Sequence, residues 1–201
     1  MKKLLSLFLA LFAISCAQIP PLAPKTSPYP ELASVVLIKE NYNNDGIKRA
    51  KAGCGATAIG RHLLVTASHC VGPIGSKVNY VTRDLWFTTT NASESAIVVG
   101  SNSIKDIAYL QTEKELPFYV SVREVKFGEP KLVVSRFNVY HDYTKMVGVL
   151  SIQLDHGFSG VGVFGEDRML LGTVILCNTK ENVIVNNNAK CSLGGNYIPL
   201  L

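Results

Sequence analysis

Short apolar runs rich in β-branched residues, separated by Gly, Asn, Asp and Pro, follow one another along most of this chain. Such runs predict strands, and frequent turn residues between them are typical of sandwiches and barrels. No long segment has the apolar period of a helix, and no repeat of fixed period is present. The pattern therefore predicts an all-β fold, with strands at residues 35–39, 55–59, 63–66, 78–81, 85–89, 96–99, 107–110, 132–135, 146–154, 161–164, 169–176 and 183–185.

The N-terminal residues follow a different pattern. Residues 1–3 are a basic start, residues 4–14 are apolar except for Ser6, and small residues flank Cys16. This order is typical of an export signal. The apolar run is short for a membrane span, because a helix needs about 20 residues to cross the hydrocarbon core of a bilayer. We therefore expect a signal peptide at residues 1–16 rather than a transmembrane helix.

The cysteines refine this prediction. Residues 13–16, AISC in one-letter code, resemble a bacterial lipobox, in which the cysteine is acylated. The other cysteines form an even set, which leaves Cys16 as the odd one. We expect a lipid at Cys16 and a protein anchored in the cell envelope, in the periplasm or at the outer membrane. The alternative is a secreted protein that loses Cys16 with an ordinary signal peptide; in either case the chain would fold where disulfides form.

Composition separates a linker from a folded domain. Residues 17–30 contain five prolines, which favour an extended, semi-rigid spacer. Residues 31–201 are the predicted domain. With 17% charged and 47% apolar residues the chain is typical of a folded protein. The net charge of +5 falls to +3 without the two lysines of the leader, and the excess is scattered. This argues against a nucleic-acid partner.

Three segments carry residue types that suit nucleophilic catalysis. His69 follows a predicted strand, Asp106 precedes another, and Ser159 lies in a glycine-bounded turn. A serine hydroxyl is a weak nucleophile and needs a base such as histidine, which a carboxylate can orient. The sequence has no paired histidines, no C-x-x-C spacing and no glycine-rich phosphate loop. We expect neither a metal nor a cofactor.

These segments resemble the trypsin-like serine proteases. Residues 54–60 and 63–70, CGATAIG and LLVTASHC, are similar to the family patterns C-G-G-x-L-I and V-L-T-A-A-H-C. Residues 106–110, DIAYL, are similar to D-I-A-L-L, and residues 157–160, GFSG, to G-D-S-G. The resemblance covers most of residues 33–199. It implies two packed six-stranded antiparallel β-barrels with the site between them.

The resemblance also implies a role for each candidate residue. His69 would be the general base, Asp106 would orient it, and Ser159 would attack the substrate carbonyl to form an acyl-enzyme. The backbone N–H groups of Gly157 and Ser159 would form the oxyanion hole. Disulfides are implied between Cys54 and Cys70 and expected between Cys177 and Cys191.

Substrate-binding residues follow from the same resemblance. Residues 172–177, GTVILC, are similar to the family's G-I-V-S-W-G, and Gly195 begins a segment similar to G-V-Y. Ile175, Leu176 and Gly195 would therefore line the substrate pocket, with Gln153 near its floor. Because no acidic residue stands at that position, we expect a neutral residue before the scissile bond.

Departures from the family pattern leave alternatives open. Phe158 replaces the aspartate before the nucleophile, so activation through that aspartate is not available and packing of Phe158 is a candidate substitute. Val161 replaces a glycine, and Ser68 replaces an alanine before the histidine. The leading prediction is a serine endopeptidase that acts on proteins or peptides in the envelope or outside the cell. The alternatives are an inactive protease-like binding or scaffold module and an esterase; the sequence predicts no oligomeric state.

Overall fold

The structure is a computed structural model that describes residues 25–26, 29–42, 48–82, 93–135, 138–152, 154, 157–177, 184–185, 188–189 and 195–201. Almost all regular structure in these residues is β-strand, which confirms the predicted all-β fold. The helices among them are α1, Pro30–Ala33, and a short 3-10 turn, Ser68–Cys70. Neither of these has the length and apolar character that a membrane span needs.

Six strands close into a barrel near the N-terminus, in the order β2-β3-β4-β7-β6-β5. Every neighbouring pair is antiparallel, and β2 pairs with both β3 and β5, which closes the barrel. Closure leaves none of these strands with an unpaired edge. Their bounds are β2 Ser34–Tyr42, β3 Lys48–Gly60, β4 Leu63–Thr66, β5 Lys77–Val81, β6 Glu94–Asn102 and β7 Ile107–Thr112.

A second antiparallel sheet of six strands forms a half-barrel, in the order β10-β9-β12-β13-β16-β11. Its strands are β9 Lys131–Val134, β10 Val139–Asp142, β11 Val149–Leu150, β12 Gly162–Gly165, β13 Leu170–Cys177 and β16 Gly195–Pro199. Two small pairs complete the described strands: β1 Lys25–Thr26 runs parallel to β8 Phe118–Tyr119, and β14 Ile184–Val185 pairs with β15 Asn188–Ala189. The two six-stranded sheets confirm the predicted double-barrel architecture.

Apolar side chains that alternate along the strands fill both barrels. In β2, for example, Val35 and Leu37 are buried two residues apart, as the period of a strand requires. Burying a side chain of this size contributes roughly 1.5–3 kcal/mol. One apolar cluster fills the closed barrel and a second fills the half-barrel. Val134, Phe164 and Leu170 come from the half-barrel but pack in the first cluster, so the two barrels share apolar contact.

The strand expected at residues 146–154 is wrong for most of its length. Among the described residues of this range, only Val149–Leu150 form a strand, which pairs with β16. Gly148 has a left-handed φ of 79°, which bends the chain before this strand. The N–H and hydroxyl of Ser151 donate to the Asp142 carboxylate, so the chain leaves the sheet there. The backbone of Ser151 therefore bonds to the buried Asp142 carboxylate instead of to a neighbouring strand.

Several predictions fall wholly or largely outside the described residues. These include the signal peptide at residues 1–16 with the lipid at Cys16, and the strand at residues 85–89. Of the predicted linker at residues 17–30, the described part pairs as β1 with β8, and α1 begins at Pro30.

Candidate active site

His69 lies in the 3-10 turn that follows β4. The turn is fixed from two sides. Cys70 forms a disulfide with Cys54 of β3, with the Cα atoms 6.0 Å apart, and this is the pairing that the resemblance implies. The Ser68 N–H donates to the Asp106 carbonyl at 3.1 Å. The His69 side chain remains 42% exposed, so its ring can reach a bound molecule.

Asp106 stands immediately before β7 and faces the histidine. Its φ of 52° lies in the left-handed region, which aspartate tolerates better than most residues because its short side chain bonds locally. Its Oδ2 accepts a hydrogen bond from His69 Nδ1 at 2.7 Å. Because a carboxylate can only accept, Nδ1 carries the proton, and Nε2 of the neutral ring is left as an acceptor.

The second carboxylate oxygen is also bound. Oδ1 of Asp106 accepts from the His69 backbone N–H at 3.0 Å and from Ser68 Oγ at 2.7 Å. Burial raises the pKa of Asp106, but the hydrogen bonds from Ser68 and from the backbone and ring of His69 outweigh burial. They hold the pKa of this carboxyl below its usual value, so Asp106 is ionised at neutral pH.

Ser159 lies in a turn between two glycines with left-handed backbones. The φ angles are 101° at Gly157 and 81° at Gly160. The Ser159 carbonyl accepts from the Gly55 N–H at 2.8 Å, and the Gly160 N–H donates to the Val174 carbonyl at 2.7 Å. The serine turn is therefore held between a strand of each barrel, β3 and β13.

Glycine is required where this turn meets the closed barrel. A Cβ on Gly160 would lie 2.1 Å from the Gly55 carbonyl oxygen and 2.2 Å from Thr66 Oγ1. Thr66 Oγ1 donates to the same Gly55 carbonyl at 2.7 Å. The serine turn therefore packs against Gly55 of β3 and against Thr66, which lies shortly before Ser68 and His69 in the chain.

The serine and histidine are connected through a short series of contacts. Ser159 bonds to Gly55, Gly55 follows Cys54, and Cys54 is joined to Cys70 beside His69. Ser159 Oγ itself donates to the Ile175 carbonyl at 3.4 Å, so in this conformation the hydroxyl is directed at β13. The distance is long for an O–H···O hydrogen bond.

A sulfur and nitrogen cluster at this place could be mistaken for a metal site. A ring nitrogen of His69 and the Sγ atoms of Cys54 and Cys70 lie within 4.8 Å of one another. The two sulfurs are bonded to each other, however, and metal binding by cysteine needs thiolates. The cluster does not fit a metal ion in the oxidised protein.

The residues beside the serine form an apolar cavity of about 250 Å³ between the barrels. Gly157, Phe158 and Gly55 line one part of it. The Phe158 ring packs edge to face against Tyr140 of β10, with 5.4 Å between ring centroids. The side chain that replaces the family's aspartate is therefore partly buried against the half-barrel.

Only part of the predicted substrate pocket is described. Ile175 lies on β13, and Gly195 begins the adjacent strand β16, where it pairs with Cys177. The backbone of Leu176 lies on β13 as well, but its side chain is outside the described part. Gln153 and the expected Cys177–Cys191 disulfide are also outside it.

The sequence did not identify the contacts of Ser68, Thr66 and Gly55. In the sequence Ser68 is only a departure from the family pattern, although a hydroxyl next to the candidate base His69 is a possible hydrogen-bond donor. The close approach of Gly55 and Gly160 joins residues that are distant in sequence, so no local pattern predicts it.

The fold and this site together define a class. A closed barrel carries a hydrogen-bonded His–Asp pair, and a half-barrel places a serine turn against it. This is the architecture of a chymotrypsin-fold serine protease.

The trypsin family matches residues 36–139, just over half of the chain, and the chain belongs to that family. The match includes His69 and Asp106 and ends before Ser159. No curated protein matches the chain.

Proposed function

We propose that this protein is a serine endopeptidase that uses His69, Asp106 and Ser159. The observation that carries the proposal is the 2.7 Å hydrogen bond between His69 Nδ1 and Asp106 Oδ2, inside the residues that match the trypsin family. The serine turn lies against the strand that is joined to the histidine turn by a disulfide. The base, the orienting acid and the nucleophile would thus come from three segments that hydrogen bonds and a disulfide link to one another.

In the proposed mechanism, His69 Nε2 takes the proton of Ser159 Oγ as the oxygen attacks the carbonyl carbon of a peptide bond. The negative charge that develops on the carbonyl oxygen is stabilised by the N–H groups of Gly157 and Ser159. The imidazolium then gives its proton to the leaving amine, and an acyl-enzyme remains. A water molecule then attacks the acyl-enzyme, with His69 again taking the proton, and the carboxylic acid product leaves.

Asp106 supports this cycle without giving up its charge. Its low pKa keeps it ionised while His69 becomes an imidazolium. The carboxylate therefore holds the tautomer with hydrogen on Nδ1 and stabilises the positive charge on the ring.

The serine hydroxyl has to turn before it can react. Its present hydrogen bond, to the Ile175 carbonyl, is long at 3.4 Å. Because this contact is long and therefore weak, exchanging it for one to His69 Nε2 would cost little. We expect a bound substrate to favour the rotated form.

The substrate in this proposal is a protein or peptide. The edge of β13 near Ile175, with β16 beside it, would form the wall of the pocket for the residue before the scissile bond. The resemblance implies Gln153 rather than a carboxylate near the pocket floor, so the pocket would accept neutral side chains.

We also propose a location. Residues 1–16 would direct export, Cys16 would carry a lipid, and residues 17–30 would link the anchor to the protease domain at residues 31–201. A Cys16→Ala variant should leave the membrane fraction when cells are fractionated, because it lacks the acylated residue. Unchanged partitioning of that variant would rule out acylation as the anchor.

Peptide hydrolysis tests the function. The full chain, incubated with a mixture of internally quenched peptides, should release fluorescence, and Ser159→Ala should reduce the rate to background. Circular dichroism of both proteins controls for folding. If the folded parent cleaves nothing, the alternative of a protease-like binding module gains support; if Ser159→Ala cleaves as fast as the parent, Ser159 is not the nucleophile.

A further inference from the structure

We propose that Ser68 is a positioning residue, whose hydroxyl fixes the rotation of the Asp106 carboxylate and so the orientation of His69. This inference rests on the proposed function, because it assigns a role within the same reaction. It adds a fourth side chain to the three that the mechanism uses.

The two oxygens of Asp106 have separate tasks. Oδ2 accepts only the His69 Nδ1–H among the contacts of the described residues, at 2.7 Å. Oδ1 accepts from Ser68 Oγ at 2.7 Å and from the His69 backbone N–H at 3.0 Å. Ser68 therefore makes the shorter of the two bonds that hold the oxygen not used by the ring.

This division matters because a carboxylate turns easily about its Cβ–Cγ bond. The terminal torsion of aspartate is broad, without three sharp staggered wells. Oδ1 must be held if Oδ2 is to stay in line with the imidazole. The Asp106 side chain is 18% exposed, so water can compete for Oδ1 once a protein donor is removed.

Ser68 is itself well fixed for this task. Its backbone N–H donates to the carbonyl of the same Asp106 at 3.1 Å, while its hydroxyl donates to the carboxylate. One residue thus holds both the main chain and the side chain of Asp106. Asp106 has a left-handed φ at this point, and its carbonyl and its carboxylate both accept from Ser68, so the residue before β7 is tied to the 3-10 turn at two atoms.

The contact predicts a specific kinetic effect. The Ser68 hydroxyl is directed at Asp106, so its loss should lower kcat and leave KM unchanged. A hydrogen bond to a charged group supports an effect of about tenfold in kcat, since the His69 N–H remains on Oδ1. Alanine at this position fits the fold, because the family pattern itself has alanine before the histidine.

The experiment compares Ser68→Ala with Ser68→Thr, which keeps the hydroxyl. For each protein we would measure kcat and KM on a cleaved peptide, and observe the downfield proton resonance of His69 Nδ1–H. We expect about a tenfold lower kcat and a weakened or broadened resonance in Ser68→Ala, with both properties close to those of the parent in Ser68→Thr.

The outcomes separate this inference from the proposed function. If the parent is active and Ser68→Ala matches it in kcat and in the Nδ1–H resonance, Ser68 has no positioning role. A change in KM alone would also overturn the inference, because it indicates an effect on substrate binding. If the parent cleaves nothing, the proposed function fails, and the resonance still decides: its loss in Ser68→Ala alone supports positioning, and an unchanged resonance refutes it.

Discussion

At the scale of single residues, the absence of a side chain at position 160 allows the two barrels to meet at the site. A Cβ at position 160 would clash with the Gly55 carbonyl and with the Thr66 hydroxyl. Its φ of 81° is also a conformation that other residues rarely adopt. The position of Ser159 therefore depends on the residue that follows it.

Gly160→Ala should destabilise the protein and abolish activity, and Gly128→Ala is its matched control. Both glycines have a φ of 81°, but a Cβ on Gly128 would meet no atom within 4 Å. The control should lose about 1 kcal/mol for the left-handed backbone. Gly160→Ala should lose a further ~1–3 kcal/mol from overpacking. Urea unfolding measures both, and equal losses would show that the close approach does not exist.

A second residue, Asp142, links stability to pH. It is fully buried, and in the register of β10 and β9 it stands opposite the buried Lys131. Its Oδ1 accepts from Ser151 Oγ and Thr144 Oγ1, each at 2.7 Å. Burial raises the pKa of Asp142, but the hydrogen bonds from Ser151 and Thr144 outweigh burial and hold it below its usual value.

Acidification should therefore weaken the fold through Asp142. A carboxyl whose pKa is lowered by folding contributes stability above its unfolded pKa of about 3.9 and loses that contribution as the pH falls through the folded value. The free energy of unfolding, measured with urea from pH 6 downwards, should fall below about pH 4. The fall should be smaller in Asp142→Asn and intermediate in Ser151→Ala. A parent curve that stays flat would contradict the assignment.

At the scale of elements, the Ser159 turn is supported by an aromatic contact with β10. Phe158 packs edge to face on Tyr140, where the family pattern has an aspartate before the serine. An edge-to-face pair contributes about 0.5–1.5 kcal/mol beyond the burial of its area. We propose that this contact supports the loop whose N–H groups would form the oxyanion hole, the role for which Phe158 is a candidate.

This interpretation predicts that Phe158→Ala and Tyr140→Ala each lower kcat, because the Gly157 N–H loses its fixed direction. Tyr140→Phe keeps the ring and removes only the hydroxyl, so it should stay close to the parent. Steady-state kinetics on one peptide, with kcat and KM separated, decides the matter. A normal kcat in Phe158→Ala would show that another contact holds the loop.

The strands also show which parts of the structure the sequence pattern predicts correctly. The run at residues 63–66 forms β4 with the predicted bounds, because a short continuous run of this kind suits a strand that is buried on both faces. The run around residue 150 does not, because the Asp142 carboxylate binds the backbone of Ser151. The segments of His69, Asp106 and Ser159 are recognisable as sequence motifs. The contacts of Ser68 with Asp106 and of Gly55 with Ser159 join distant parts of the chain, so no local pattern predicts them.

At the scale of the whole molecule, the site exists only where the barrels meet. The closed barrel supplies His69 and Asp106, and the turn with Ser159 leads into the half-barrel strand β12. The family match covers the first pair and ends before the serine. The central claim is therefore that Ser159 is the nucleophile activated by His69.

Labelling with a fluorophosphonate tests this claim most directly. An activated serine oxygen attacks the phosphorus and displaces fluoride, while an ordinary serine hydroxyl is too weak a nucleophile to react. The full chain should be labelled, with the added mass on the peptide that contains Ser159, and Ser159→Ala and His69→Ala should not be. A folded parent that takes up no label, or a label that persists in Ser159→Ala, would contradict the account.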